Sequence, residues 1–80
     1  MAKLVFLGRL EDLAGAPERE VPPGPLETVL AQLPVELAVA LLGERVRIAR
    51  NGELITERGG IVLEADDEIA FLPPVSGGQA

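Results

Sequence analysis

Gly24-Pro25-Leu26-Glu27-Thr28-Val29-Leu30-Ala31-Gln32-Leu33 is the stretch that decides the fold. Leu26, Val29, Leu30 and Leu33 recur at i, i+3, i+4 and i+7, so they make one apolar stripe on a helix that opens with Pro25 at its first position. Pro34 interrupts the stripe, and residues 36–42 predict a second helical stretch ended by Gly43. On either side of these helical turns the chain reads as short strands. Lys3-Leu4-Val5-Phe6-Leu7, a partly β-branched apolar run ended by Gly8, predicts a strand buried on both faces and lying mid-sheet. Residues 11–17 read as a turn, and residues 18–21 return as a second, polar strand that Pro22 stops.

Beyond the helices, Val46 and Ile48 share one face of an alternating strand over residues 45–50, and Asn51-Gly52 after it is a strong hairpin signal. Short apolar pieces at residues 53–55 and 61–63 flank Arg58-Gly59-Gly60, which reads as a turn. Glu64-Ala65-Asp66-Asp67-Glu68 is an acidic, solvated turn into the last strand, residues 69–72. The order β-β-α-β-β-β implies an α+β two-layer domain, a mixed sheet with one principal helix packed on one face. The first and last strands are the most continuously apolar and are expected side by side and parallel, covered on both faces. Phe71 is read as core, and Leu72, facing the other way on the strand, as an interface candidate.

After the last strand come Pro73-Pro74-Val75-Ser76-Gly77-Gly78-Gln79-Ala80. The prolines lack an amide hydrogen and have fixed φ, so the ladder must stop there. Gly77 and Gly78 have no Cβ, which suits a backbone that enters a narrow channel in another protein. The expected organisation is one domain over residues 1–74 and a flexible tail over residues 75–80. Ordering those six tail residues on docking costs on the order of 6–12 kcal/mol of backbone entropy, which the two prolines reduce by restricting the free chain.

Composition narrows the function. The 80 residues are 48% hydrophobic, enough for one small core, and Phe6 and Phe71 are the only aromatics. There is no cysteine and no histidine, hence no thiol nucleophile, no disulfide, no usual neutral-pH base and no common soft or imidazole metal ligand. These gaps argue against an enzyme acting alone. No metal site is assigned to Glu64, Asp66, Asp67 and Glu68, because their spacing does not make a loop of oxygen ligands. A formal net charge of −6 argues against nucleic acid and favours a basic protein partner. Arg9, Arg45, Arg47 and Arg50 could meet a partner's acidic patch, and solvated strand edges account for them equally well. With no membrane-length apolar segment and only a short apolar run near the start, the expected location is cytoplasmic.

The whole pattern resembles the ubiquitin-like β-grasp sulfur carriers, and Phe71-Leu72-Pro73-Pro74-Val75-Ser76-Gly77-Gly78 is similar to the end of the small subunit of molybdopterin synthase (MoaD-like). Asp12-Leu13-Ala14-Gly15 resembles that family's Glu-Leu-x-Gly turn, and Asp66-Asp67-Glu68-Ile69-Ala70-Phe71 its entry into the last strand. Glu11 stands where many members carry arginine. The resemblance implies a β-grasp fold and a carrier activated at Gly78: a MoeB-like adenylating enzyme uses ATP on the carboxylate, and sulfur then replaces AMP to give a C-terminal thiocarboxylate. It implies no stably bound cofactor. It implies that Leu72, Pro73, Pro74, Val75, Ser76 and Gly77 contact the partner, a large molybdopterin synthase subunit (MoaE-like), where sulfur passes to a pterin precursor. Family members usually end at the second glycine, so Gln79 and Ala80 are expected to be removed before function.

Two other readings fit the residues. A carrier could serve thiamine or tRNA thiolation, although the thiamine-pathway carrier usually lacks the diproline run. A non-catalytic β-grasp module could instead bind a partner through a sheet edge or an apolar sheet face.

Overall fold

The computed structural model describes residues 1–56 and 59–74. The chain runs through β1 (Ala2–Phe6), α1 (Arg9–Ala14), β2 (Glu18–Val21), β3 (Gly24–Pro25), α2 (Leu26–Ala31), α3 (Val35–Leu41), β4 (Arg47–Arg50), β5 (Glu53–Ile55), β6 (Val62–Leu63) and β7 (Glu68–Leu72). Five strands form one sheet in the order β2-β1-β7-β4-β5, while β3 and β6 pair separately as a short ribbon. The first and last strands lie together and parallel, Leu4 opposite Ile69 and Phe6 opposite Phe71, as their apolar content predicts. The other pairings are antiparallel.

Strand parity and helix spacing together build the core. Ala2, Leu4 and Phe6 of β1, Ile69 and Phe71 of β7 and Ile48 of β4 point to one side of the sheet, where they meet Leu10, Leu26, Val29, Leu30, Leu37 and Leu41 from the helices. The rings of Phe6 and Phe71 stack with centroids 6.1 Å apart, and both are fully buried. Among the described residues no polar or charged side chain is buried.

Three local expectations change. The strand at residues 3–7 is not buried on both faces: Lys3 and Val5 are only half-buried, as are Ala70 and Leu72 on β7. The described helices are all six or seven residues long, and their buried leucines share one cluster with one face of the sheet, so among the described residues no helix covers the opposite face. The expected turn at residues 11–17 is mostly helix α1. Leu10 is buried and Ala14 packs against the core one turn later, and Gly15, in the left-handed conformation at φ 81°, closes the helix by donating to the Glu11 carbonyl. Pro25 is not the first helical residue. It caps α2 in extended geometry, φ −58° and ψ 136°, because Gly24 and Pro25 pair with β6 and the Leu26 amide donates to the Ile61 carbonyl at 2.9 Å. Leu33 therefore lies beyond the end of α2, yet it is still buried.

Candidate functional site

The site is built where β7 leaves the sheet. β7 is the central strand, and its partner β1 continues the ladder one residue further, since the Leu7 amide donates to the Phe71 carbonyl at 3.2 Å. Leu72 is the last strand residue and pairs with Arg47. Pro73 follows half-buried and Pro74 exposed, consistent with two residues that cannot donate to a ladder. Of the residues expected to meet a partner, Leu72, Pro73 and Pro74 are thus placed together at one sheet end. Val75, Ser76, Gly77 and Gly78 lie outside the described residues, as do Gln79 and Ala80 and with them the expectation of a flexible tail.

Leu72 faces the open side of the sheet, away from Phe71, as its position in the strand predicts. On that same side the register sets Val5 beside Ala70, Ala70 beside Ala49, and Ala49 beside Leu54, an apolar row across four strands. Leu54 is 61% exposed. A hollow of about 820 Å³ adjoins this row, walled by Leu54, Leu72, Pro73 and Pro74 and by the backbone segment carrying Arg45 and Arg47. The sequence reading singled out Leu72 and missed the row. The signal was two alanines, Ala49 and Ala70, at outward strand positions where a solvated face ordinarily carries polar residues.

At the opposite end of the sheet, charged residues are occupied rather than solvated. Arg50 was read as a strand-edge side chain, but its Nη2 donates to Asp67 Oδ2 at 2.6 Å and to the Val62 carbonyl at 2.8 Å. Asp67 also accepts from the Glu64 amide at 2.8 Å and from Asn51 Nδ2 at 3.0 Å, and Asn51 Oδ1 accepts from the Glu68 amide at 2.9 Å. The acidic turn thus corrects to a clamp at Asp67, whose side chain is 14% exposed, while Glu64, Asp66 and Glu68 remain exposed. The Glu64 amide, the Asn51 amide and the Arg50 guanidinium, in that order, stabilise the carboxylate and lower its pKa to about 2. These contacts are all within the chain and tie the β4–β5 turn to the entry of β7. Among the described residues no group of acidic side chains is arranged to hold a metal ion, and no helix is long and apolar enough to cross a membrane.

The family model described as the ThiS family matches residues 4–78, ending on the second glycine of the tail. Among solved structures, the chain is similar to the small archaeal modifier protein 1 of Methanosarcina acetivorans, with a TM-score of 0.73 and 26% identity over 96% of this chain and 95% of that one. It is also similar to the small archaeal modifier protein 1 of Haloferax volcanii, with a TM-score of 0.68 and 25% identity over 96% and 98% of the two chains. A third similar fold, at 22% identity and a TM-score of 0.72 over 89% of this chain and 97% of the other, is the Urm1 protein of Sulfolobus solfataricus. A search of curated proteins found no match to the chain.

Proposed function

The chain belongs to the ThiS family of ubiquitin-like sulfur carriers, and we propose that within it this protein is the sulfur-donating small subunit of molybdopterin synthase. The observation that carries this reading is the Leu72-Pro73-Pro74 exit from the central strand, beside an open apolar sheet face and followed in sequence by Gly77 and Gly78. A carrier needs a deliverable acyl terminus and a docking face, not catalytic side chains, and this chain has neither His nor Cys.

The Gly78 carboxylate attacks the α-phosphorus of ATP on a MoeB-like enzyme, pyrophosphate leaves, and a sulfur nucleophile displaces AMP. The MoaE-like large subunit covers the row from Val5 to Leu54, Leu72 fills its edge, and the tail runs into that subunit's site to meet the pterin precursor. Gln79 and Ala80 are removed first, because two extra extended residues would carry the reacting carbonyl about 7 Å too far. The test is co-expression with the MoeB-like enzyme followed by intact mass. A species ending at Gly78 with one oxygen exchanged for sulfur is expected, and it should convert the pterin precursor when the MoaE-like subunit is added. Persistent absence of the sulfur-bearing species even from a chain truncated after Gly78 would defeat the carrier reading.

A second reading is favoured by the modifier proteins found at 26% and 25% identity. The same activated Gly78 would then serve tRNA thiolation or attachment to an amine. In that case the thiocarboxylate forms but no pterin product appears with the large subunit.

A further inference from the structure

Among the described glycines, Gly8 alone combines a left-handed φ with a side chain pressed against it. Its φ is 57° and its ψ −136°, a combination that strains any residue with a Cβ. A Cβ built there would stand 2.8 Å from Cγ and 3.6 Å from Cδ of Pro73, well inside contact distance for the first. Gly15, Gly24, Gly52 and Gly60 also have positive φ, but a Cβ on any of them would meet nothing within 4 Å. Those four supply only backbone freedom.

The backbone around Gly8 has little freedom to give way. The Leu7 amide is bonded to the Phe71 carbonyl on the strand side, and on the helix side the Leu10 amide donates to the Leu7 carbonyl and the Glu11 amide to the Gly8 carbonyl, both at 3.1 Å. Leu10 anchors this turn in the core. The pyrrolidine of Pro73 therefore rests directly on a fixed patch of main chain, and its own φ is fixed by its ring.

We infer that Gly8 is a positioning residue for the C-terminus: by presenting bare backbone to Pro73 it sets the direction in which the chain leaves β7 for the activating and accepting partners. The inference rests on the carrier reading of the tail. Docking the folded domain delivers the terminus only if the exit is aimed, and misplacement of about 1 Å at a reacting centre can cost roughly a hundredfold in rate.

The test exploits the absence of cysteine. Ser76→Cys gives a single attachment point for a nitroxide, and paramagnetic broadening of the amides of β1, α1, β4 and β7 reports where the labelled residue travels. The footprint is compared for the parent, Gly8→Ala, Pro73→Ala and the double variant. The footprint is expected to shift in Gly8→Ala, while Gly8→Ala made in the Pro73→Ala background causes no further shift. With the MoeB-like enzyme and chains truncated after Gly78, unlabelled Gly8→Ala is expected to lose about tenfold in adenylation turnover with KM within about twofold of the parent. An unmoved footprint alongside a lowered Tm, or equal losses in both Pro73 backgrounds, would overturn the inference and leave Gly8 a turn residue. If Gly8→Ala does not fold, Pro73→Ala decides alone, since an unchanged footprint there overturns the seat. Should the enzyme adenylate none of the chains even when each is truncated after Gly78, the carrier reading fails, while the footprint still tests the seat.

Discussion

At one end of the sheet Asp67 is tied to Arg50, Asn51 and the Glu64 amide, joining the β4–β5 turn to the entry of β7. At the other end Pro73 rests on Gly8 through ring-to-backbone contact, and the sequence goes on. Both ends belong to the same central strand. Side-chain hydrogen bonds reinforce the entry, whereas beyond the last ladder contacts of β7 the exit meets Gly8 through a non-directional apolar contact. A clamp like that of Asp67 at the exit would tie down the residues a carrier must release.

The largest effect should come from the stack that joins the two ends. Phe71→Ala removes a fully buried ring lying against Phe6 and should cost about 3–5 kcal/mol in urea unfolding, enough to bring a domain of this size close to the unfolded state. Leu72→Asp, one residue further on, sharpens the contrast between core and exit. It should cost only about 1 kcal/mol in stability, yet it places a charge on the open face and should weaken co-purification with the large subunit at least tenfold. A stable complex with Leu72→Asp would show that docking does not use this face.

The entry clamp should answer to acid and to mutation without touching delivery. Asp67 has a carboxyl pKa of about 2 in the folded chain against an ordinary value of 3.8. The lowered value means that its stabilisation is fully present above the ordinary pKa and is lost as pH falls from there towards about 2. Thermal unfolding of the parent should decline over that window more steeply than that of Asp67→Asn, which should be less stable at neutral pH but be adenylated normally. Parallel pH profiles for the two would mean that the clamp contributes nothing through its charge. Smallest of all is Lys3→Met. The Lys3–Glu18 pair is 2.9 Å long but 41% and 53% exposed, so its loss should leave the urea midpoint unchanged within error at moderate salt.

Where each side chain had a local reason, the residues were legible. Period-two parity placed Phe71 inside and Leu72 outside, and Asn51-Gly52 made its hairpin with φ of 51° and 90°. The parallel pairing of the first and last strands followed from their continuous apolar content. The reading failed where long-range partners decide. Pro25 carries every local mark of a first helical residue, but pairing with β6, distant in sequence, makes it extended. Asp67 looks like one more acid in a polar turn, and only the register of β4 against β7 brings Arg50 and Asn51 to it. At Gly8 the sequence shows a glycine closing a strand, and the proline that requires it lies at the far end of the chain.

The central placement of β7 also bears on how the protein is made. Lys3 pairs with Glu68 across nearly the whole length of the chain, so the contacts that close the core are among the least local available. A nascent chain interrupted before β7 would leave β1 and β4 with open edges and the partners of Phe71 facing water, a state prone to aggregation rather than function. Because the segment that completes the fold is also the one that ends on Leu72-Pro73-Pro74, a chain long enough to fold already carries the start of the exit from the sheet.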